Sequence, residues 1–213
     1  MPLPSPSSLP RRRPLNELWG RLGWAAVFAG LLVVHYCILW KLIFPLELPP
    51  FLLGYLAAPA LLLIGPVLAF VVTLLWLPGG TLLPALHDNP MLARGIAEFW
   101  GRRWNLWFSD WFRYVIFAPR RHRPTLALVL VFFVSGLMHE WVINLPLYLF
   151  TGKAPFGTMM VYFLLQAAGV LLERRFLKRK ARARTLFAWL VVFVPAPLVL
   201  NEGLLRTLHL WPH

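Results

Sequence analysis

The sequence predicts an all-α, polytopic membrane protein with about five transmembrane helices and an additional interfacial amphipathic helix. Three observations lead there. Charged residues make up only 14% of the 213-residue chain and hydrophobic ones 59%, against about 25% charged in an ordinary soluble domain. Apolar runs near the ~20 residues that cross a bilayer recur along the chain. Lys and Arg are confined to the segments between those runs, and their distribution is strongly one-sided.

The expected spans are 23–43, 52–77, 125–150, 157–173 and 185–205. The second contains Pro59, Gly65 and Pro66 and is expected to kink or tilt, which a span tolerates when neighbours satisfy the freed backbone groups. The fourth is short, and Pro195 and Pro197 break the fifth. Residues 1–22 form a basic N-terminal tail with an Arg11-Arg12-Arg13 run, followed by a single membrane domain over 23–213. The apolar stretch behind those arginines is too long, and lacks the cleavage site, for a secretory signal peptide, so a retained first span is expected.

With five spans, the tail, the 78–124 segment and the 174–184 segment share one side and hold 18 Lys and Arg. The other side holds 3, namely Lys41, Lys153 and Arg206. Basic residues stay cytoplasmic. The expected topology is therefore a multi-pass protein with its N-terminus in the cytoplasm and its C-terminus outside, in a bacterial inner membrane or the endoplasmic reticulum. The net charge of +13 then serves lipid headgroups or an anionic cytosolic substrate rather than nucleic acid. The single Cys37 forms no intramolecular disulfide and no metal cluster.

Residues 94–117 are too charged to span, yet Trp100, Trp104, Trp107 and Trp111 recur at helical spacing. Glu98, Arg102, Asn105, Ser109 and Arg113 make the opposing stripe. The pattern predicts an amphipathic helix lying in the membrane interface, closed by Pro119. Asn105 is then either one more solvated residue or a site residue.

The third span is apolar until Ser135, His139 and Glu140, and His139 is the fourteenth of the 25 residues from Leu126 to Phe150. Ionisable residues at that depth face a cavity or a partner. Ser135 and His139 share a helix face, and Gly136 allows close approach beside them. Position alone leaves three roles open for His139: an interhelical bond, a proton path with Glu140, or catalysis. His35 and Gln166 read as interhelical bonds or cavity lining.

Two strings narrow this choice, Glu98-Phe-Trp-Gly-Arg-Arg-Trp-Asn-Leu106 and Phe133-Val-Ser-Gly-Leu-Met-His-Glu140. Together they resemble the paired signature of the plant-type wax synthases, within the membrane-bound O-acyltransferase superfamily. The resemblance runs from about 89 to 175. It implies transfer of a fatty acyl group from acyl-CoA to a hydrophobic alcohol, as in wax ester synthesis. Asn105 and His139, 34 residues apart, fall where that family has its functional pair. The resemblance makes His139 the base and Asn105 an amide donor, with Trp104, Arg102, Arg103, Ser135, Glu140 and Gln166 as candidate substrate contacts. Acyl-CoA is a co-substrate and no other cofactor is implied. The expected partners are acyl-CoA, a long-chain alcohol or other lipid hydroxyl, membrane lipids and, for so short a chain, further copies of itself. No metal or nucleic acid enters this chemistry. An inactive membrane scaffold and a proton-coupled transporter are the alternatives. No internal repeat of the kind many transporters carry is visible in the sequence.

Overall fold

In the computed structural model, residues 15–76 and 83–211 are described, with side chains from residue 18 onward. The Arg11-Arg12-Arg13 run lies outside them. The described residues are helical, with no strand among them.

Helix α1, Leu15–Ile38, continues through a π turn (Leu39–Ile43) and a 3₁₀ turn (Phe44–Leu46). Glu47 then takes a left-handed conformation, with φ 47°, and reverses the chain into α2, Pro50–Trp76. The two helices pack antiparallel. Leu39, Phe44, Leu53, Ala57 and Ala60 make one core with Leu205 and Leu210 from the C-terminal region. The expected interhelical bond of His35 is not made through Nε2, which is buried without a hydrogen-bond partner among the described residues.

A second core holds the centre of the fold. Helix α5, Pro124–His139, runs on through a π turn (Glu140–Asn144) into α6, Leu145–Thr151. Helix α7, Thr158–Phe176, returns antiparallel along α5, and α8, Ala181–Phe193, packs against α7. Phe132, Tyr162, Phe163, Ala167, Val170 and Ala188 fill the space between them with Ile96. Gly136 makes the α5–α7 approach close, since a Cβ there would lie 3.0 Å from Met160 Sδ and 3.1 Å from Met160 Cα. Gly136→Leu is therefore expected to force the two helices apart at a cost of about 1–3 kcal/mol or more. Thermal unfolding in detergent checks this, and a melting temperature equal to wild type contradicts it.

Four helical stretches are long and apolar enough to cross a membrane: Leu18–Leu46, Pro50–Trp76, Pro124–Thr151 and Ala181–Leu198. They match the first, second, third and fifth expected spans, with shifted ends. The fifth stops earlier than 205, because α8 ends at Phe193 ahead of Pro195 and the chain turns into a separate short helix α9, Glu202–Thr207. The fourth, α7, has 19 residues, about 28 Å at 1.5 Å per residue. It falls outside the apolar set because it carries Gln166, Glu173, Arg174 and Arg175. Gln166 and Glu173 are buried against protein.

Contacts along α7 show that it joins the two ends of the bundle. At one end Glu173 accepts a hydrogen bond from the Ile96 backbone N–H, and Arg184 Nε donates to the Arg94 carbonyl at 2.9 Å. At the other end Asn201 Nδ2 donates to Thr158 Oγ1 at 3.0 Å. The basic segments near 94 and 184 thus meet at one end, as the charge count anticipates. Prolific exposure of large apolar side chains, among them Val33, Leu75, Trp141 and Phe150, suits a lipid-facing perimeter. Cysteine-accessibility labelling is expected to find position 153 outside and position 180 in the cytoplasm. Both positions on one side, or the reverse assignment, would contradict this topology.

Candidate active site

The expected single helix over 94–117 is instead two helical pieces with a break between them. Helix α3, Ile96–Glu98, passes into a π turn (Phe99–Arg103), and α4, Leu106–Phe112, passes into another (Arg113–Phe117). Trp104 is extended and Asn105 is left-handed, with φ 44° and ψ 62°. A π turn adds a residue per turn and a left-handed residue ends the helix, so the 3.6-residue phase is lost twice. The tryptophans accordingly form no single stripe. Trp100 turns into the core, stacking edge-on against Phe132 and Tyr162 and donating Nε1–H to Gln166 Oε1 at 3.1 Å. Trp107 donates to the Pro84 carbonyl at 3.0 Å, and Trp111 is exposed.

The break is held by residues 84–88, which run alongside 103–107. Asp88 N–H donates to the Arg103 carbonyl at 2.9 Å, and Leu106 N–H donates to the Leu86 carbonyl at 2.8 Å. Between them, Asn105 N–H donates to His87 Nδ1 at 3.0 Å. The His87 ring lies on Trp104, with centroids 4.5 Å apart, and Trp104 stacks on Phe99 at 5.7 Å. Asn105 stands at the N-terminus of α4, where an Asn side chain normally caps the helix. Here it makes no capping bond, and its Oδ1 is buried with no partner among the described residues. A buried amide atom without a partner is uncommon and asks for one.

His139 closes α5 immediately before the π turn Glu140–Asn144. Its Nδ1 lies 2.7 Å from the Ser135 carbonyl oxygen. A carbonyl only accepts, so Nδ1 carries the hydrogen, and in neutral imidazole the lone pair is then on Nε2. Nε2 has no hydrogen-bond partner among the described residues. The ring rests on Phe163, with centroids 4.6 Å apart.

No hydrogen bond joins Asn105 to His139 among the described residues. Aromatic contacts connect their surroundings: Phe163 touches both His139 and Trp100, and Trp100 leads through Phe99 to Trp104.

The remaining candidates divide by what they bind. Gln166 is fully buried, accepting from Trp100 and donating Nε2–H to the Val191 carbonyl at 2.8 Å. Glu140 accepts from Asn144 Nδ2 at 2.6 Å and from Met160 N–H at 3.1 Å. Its carboxylate therefore sits at the N-terminus of α7, where the helix dipole favours it. Both side chains hold helices together. Arg103 pairs with Glu98 at 2.7 Å and donates to the Asp88 carbonyl at 3.2 Å. Arg102 is exposed, and Ser135 offers its backbone carbonyl to His139.

Partial burial would raise the Glu98 carboxyl. The hydrogen bonds from Arg103 and the Arg94 backbone N–H, with both guanidinium charges, outweigh that and hold it below its ordinary value. Glu98 binds its proton more weakly folded than unfolded, so it favours the fold at neutral pH and ceases to as the pH falls through the carboxylate range. The melting temperature of wild type is therefore expected to drop between about pH 5 and about pH 3, and less so in Glu98→Gln. A flat wild-type profile contradicts this.

Three participants escaped sequence reading. His87 anchors Asn105, Glu173 anchors Ile96, and Asn144 links Glu140 to the Asn201–Thr158 pair. Only Asn144 left a signal, its i+4 spacing from Glu140. The other two act across 18 and 77 residues.

Taken together, helices long and apolar enough to cross a membrane, a histidine with one ring nitrogen free within one of them, and an aromatic segment packed beside them describe an all-α polytopic membrane protein. Comparison with known proteins says which kind. Residues 83–165 match the membrane bound O-acyl transferase family. Probable long-chain-alcohol O-fatty-acyltransferase 8 of Arabidopsis thaliana is 34% identical over 169 residues, covering 74% of this chain and 47% of that protein. The long-chain-alcohol O-fatty-acyltransferase of Simmondsia chinensis is 38% identical over 63 residues, 25% of this chain and 18% of that one. Acyl-CoA–sterol O-acyltransferase 1 of Arabidopsis thaliana is 32% identical over 88 residues, 37% of this chain and 24% of that one. By these matches the chain is similar to the wax synthase-like proteins of the membrane-bound O-acyltransferase superfamily. It spans less than half the length of each of these three relatives.

Proposed function

We propose that the protein transfers a fatty acyl group from acyl-CoA to the hydroxyl of a hydrophobic alcohol, in the manner of wax ester synthesis. The observation that carries this reading is the His139 imidazole, tied by Nδ1 to the Ser135 carbonyl with Nε2 unengaged. That is the arrangement a general base needs. Nε2 takes the hydroxyl proton as the alcohol oxygen attacks the thioester carbonyl. The new C–O bond forms, the C–S bond breaks, and the proton passes from Nε2 to the departing CoA thiolate. Positioned proton transfer of this kind contributes typically about 10²–10⁴-fold. The Asn105 Nδ2–H supplies a hydrogen-bond donor to the carbonyl oxygen as negative charge develops there, and the buried, unpartnered Oδ1 leaves an acceptor for the alcohol hydroxyl. Asn105 and His139 then face one chamber, and the acyl chain and alcohol enter it from the bilayer, where competing water is scarce.

Acyl-CoA arrives from the end of the bundle where Arg94 and the 174–184 cluster meet. Basic side chains there favour the CoA phosphates electrostatically. The names of the relatives support both alcohol and sterol acceptors. The test is incubation of the purified, vesicle-reconstituted protein with labelled acyl-CoA and a panel of long-chain alcohols, sterols and diacylglycerol. Ester product with at least one hydrophobic hydroxyl is expected. Absence of ester with every acceptor would favour the scaffold reading.

A further inference from the structure

We propose that His87 is a positioning residue for the reaction, holding Asn105 in the left-handed conformation that aims its amide into the chamber. The inference rests on the acyl-transfer reading through the role given to Asn105. Its own observations are independent. A left-handed, non-glycine residue costs energy and persists only where its surroundings fix it. Neighbouring backbone bonds fix Arg103 and Leu106 on either side. The N–H of Asn105 itself is taken by a side chain, His87 Nδ1, at 3.0 Å.

The imidazole is set in turn from one face and one edge. Trp104 lies on the ring at 4.5 Å. Its Nε2 edge fills the space beside Gly65, where a Cβ would come within 2.5 Å of Nε2 and 3.0 Å of Cδ2. Gly65 is the sixteenth of the 27 residues of α2, so the contact braces the 84–107 segment against the middle of a membrane-spanning helix. Irregular backbone at that level is tolerated only where protein or a cavity surrounds it. A chain Gly65–His87–Asn105 thus transmits the position of α2 to the amide.

The test compares His87→Phe, His87→Asn and Gly65→Ala in the full chain in vesicles. Phe keeps the ring on Trp104 and removes the acceptor; Asn keeps an acceptor, Oδ1, where Nδ1 stood. Gly65→Ala suits helix propensity and displaces the intact imidazole. His87→Phe and Gly65→Ala are expected to lower kcat by about 10²-fold, the scale of a small misplacement at a reacting centre, with KM for acyl-CoA unchanged. His87→Asn is expected to restore most of kcat. Wild-type kcat in His87→Phe, or a loss in folded His87→Asn equal to that in His87→Phe, would overturn the proposal. Should His87→Phe not fold, Gly65→Ala decides by the same criterion. Amide hydrogen exchange at Asn105 separates this inference from the acyl-transfer reading, because it needs no turnover. Faster exchange in His87→Phe with wild-type protection in His87→Asn supports the positioning bond even if no protein shows transfer. Equal exchange in all variants refutes it.

Discussion

His139→Ala is expected to abolish ester formation while leaving membrane insertion and helical content intact. Insertion survives because replacing an intramembrane histidine by alanine lowers the cost of placing α5 in lipid. Packing loses the contact with Phe163 and the bond to the Ser135 carbonyl. That carbonyl lies within α5, where the helix ladder continues to satisfy it. Chemistry does not survive. His87 is committed through Nδ1 to Asn105, and His122 precedes α5 in the basic connecting segment. A loss of about 10²–10⁴-fold follows from removing a positioned base. Ester and free fatty acid must be counted separately, because an opened chamber can still hydrolyse the thioester. Near-normal ester formation by His139→Ala would make the histidine structural.

Asn105→Gly is expected to lower kcat by about 10²–10³-fold, the usual loss on removing a donor to a developing oxyanion. Glycine is the informative replacement. Asn is one of the few side chains that tolerate the left-handed region, so Asn105 has a purely conformational explanation, namely φ 44°. Glycine meets that backbone need at no steric cost and supplies no amide. Asn105→Ala removes both and confuses them. Asn105→Asp keeps the left-handed tolerance and an acceptor but no donor, so it is expected to be as impaired as glycine. Wild-type rates in Asn105→Gly would show that the residue serves the turn alone.

The spans were legible because apolar runs and one-sided basic segments are properties of composition. Even α7 could be read from the run over 157–173, although its buried Gln166 and Glu173 make it too polar for a lipid-facing helix. The tryptophan segment misled for a definite reason. Spacing of i, i+4, i+7 and i+11 assigns one face only if the helix keeps its period, and the π turn Phe99–Arg103 and the left-handed Asn105 break it. Those features depend on the 84–88 segment packing alongside, which no local pattern encodes. His139 stood out by its depth in a span and Asn105 through the family resemblance, while the free Nε2 of His139 required the Ser135 contact to be seen. His87 carried no signal at all, since its role is a tertiary bond to a backbone N–H.

The account stands on Asn105 and His139 acting on one reacting centre, and a double-mutant cycle on the rate of ester formation tests that most directly. Groups that act as a unit are grossly non-additive. The double variant His139→Ala with Asn105→Gly is therefore expected to be slower than His139→Ala alone, but by clearly less than the full Asn105→Gly factor. A double variant slower by the full product of the two single effects would place the residues in independent roles and contradict the shared site.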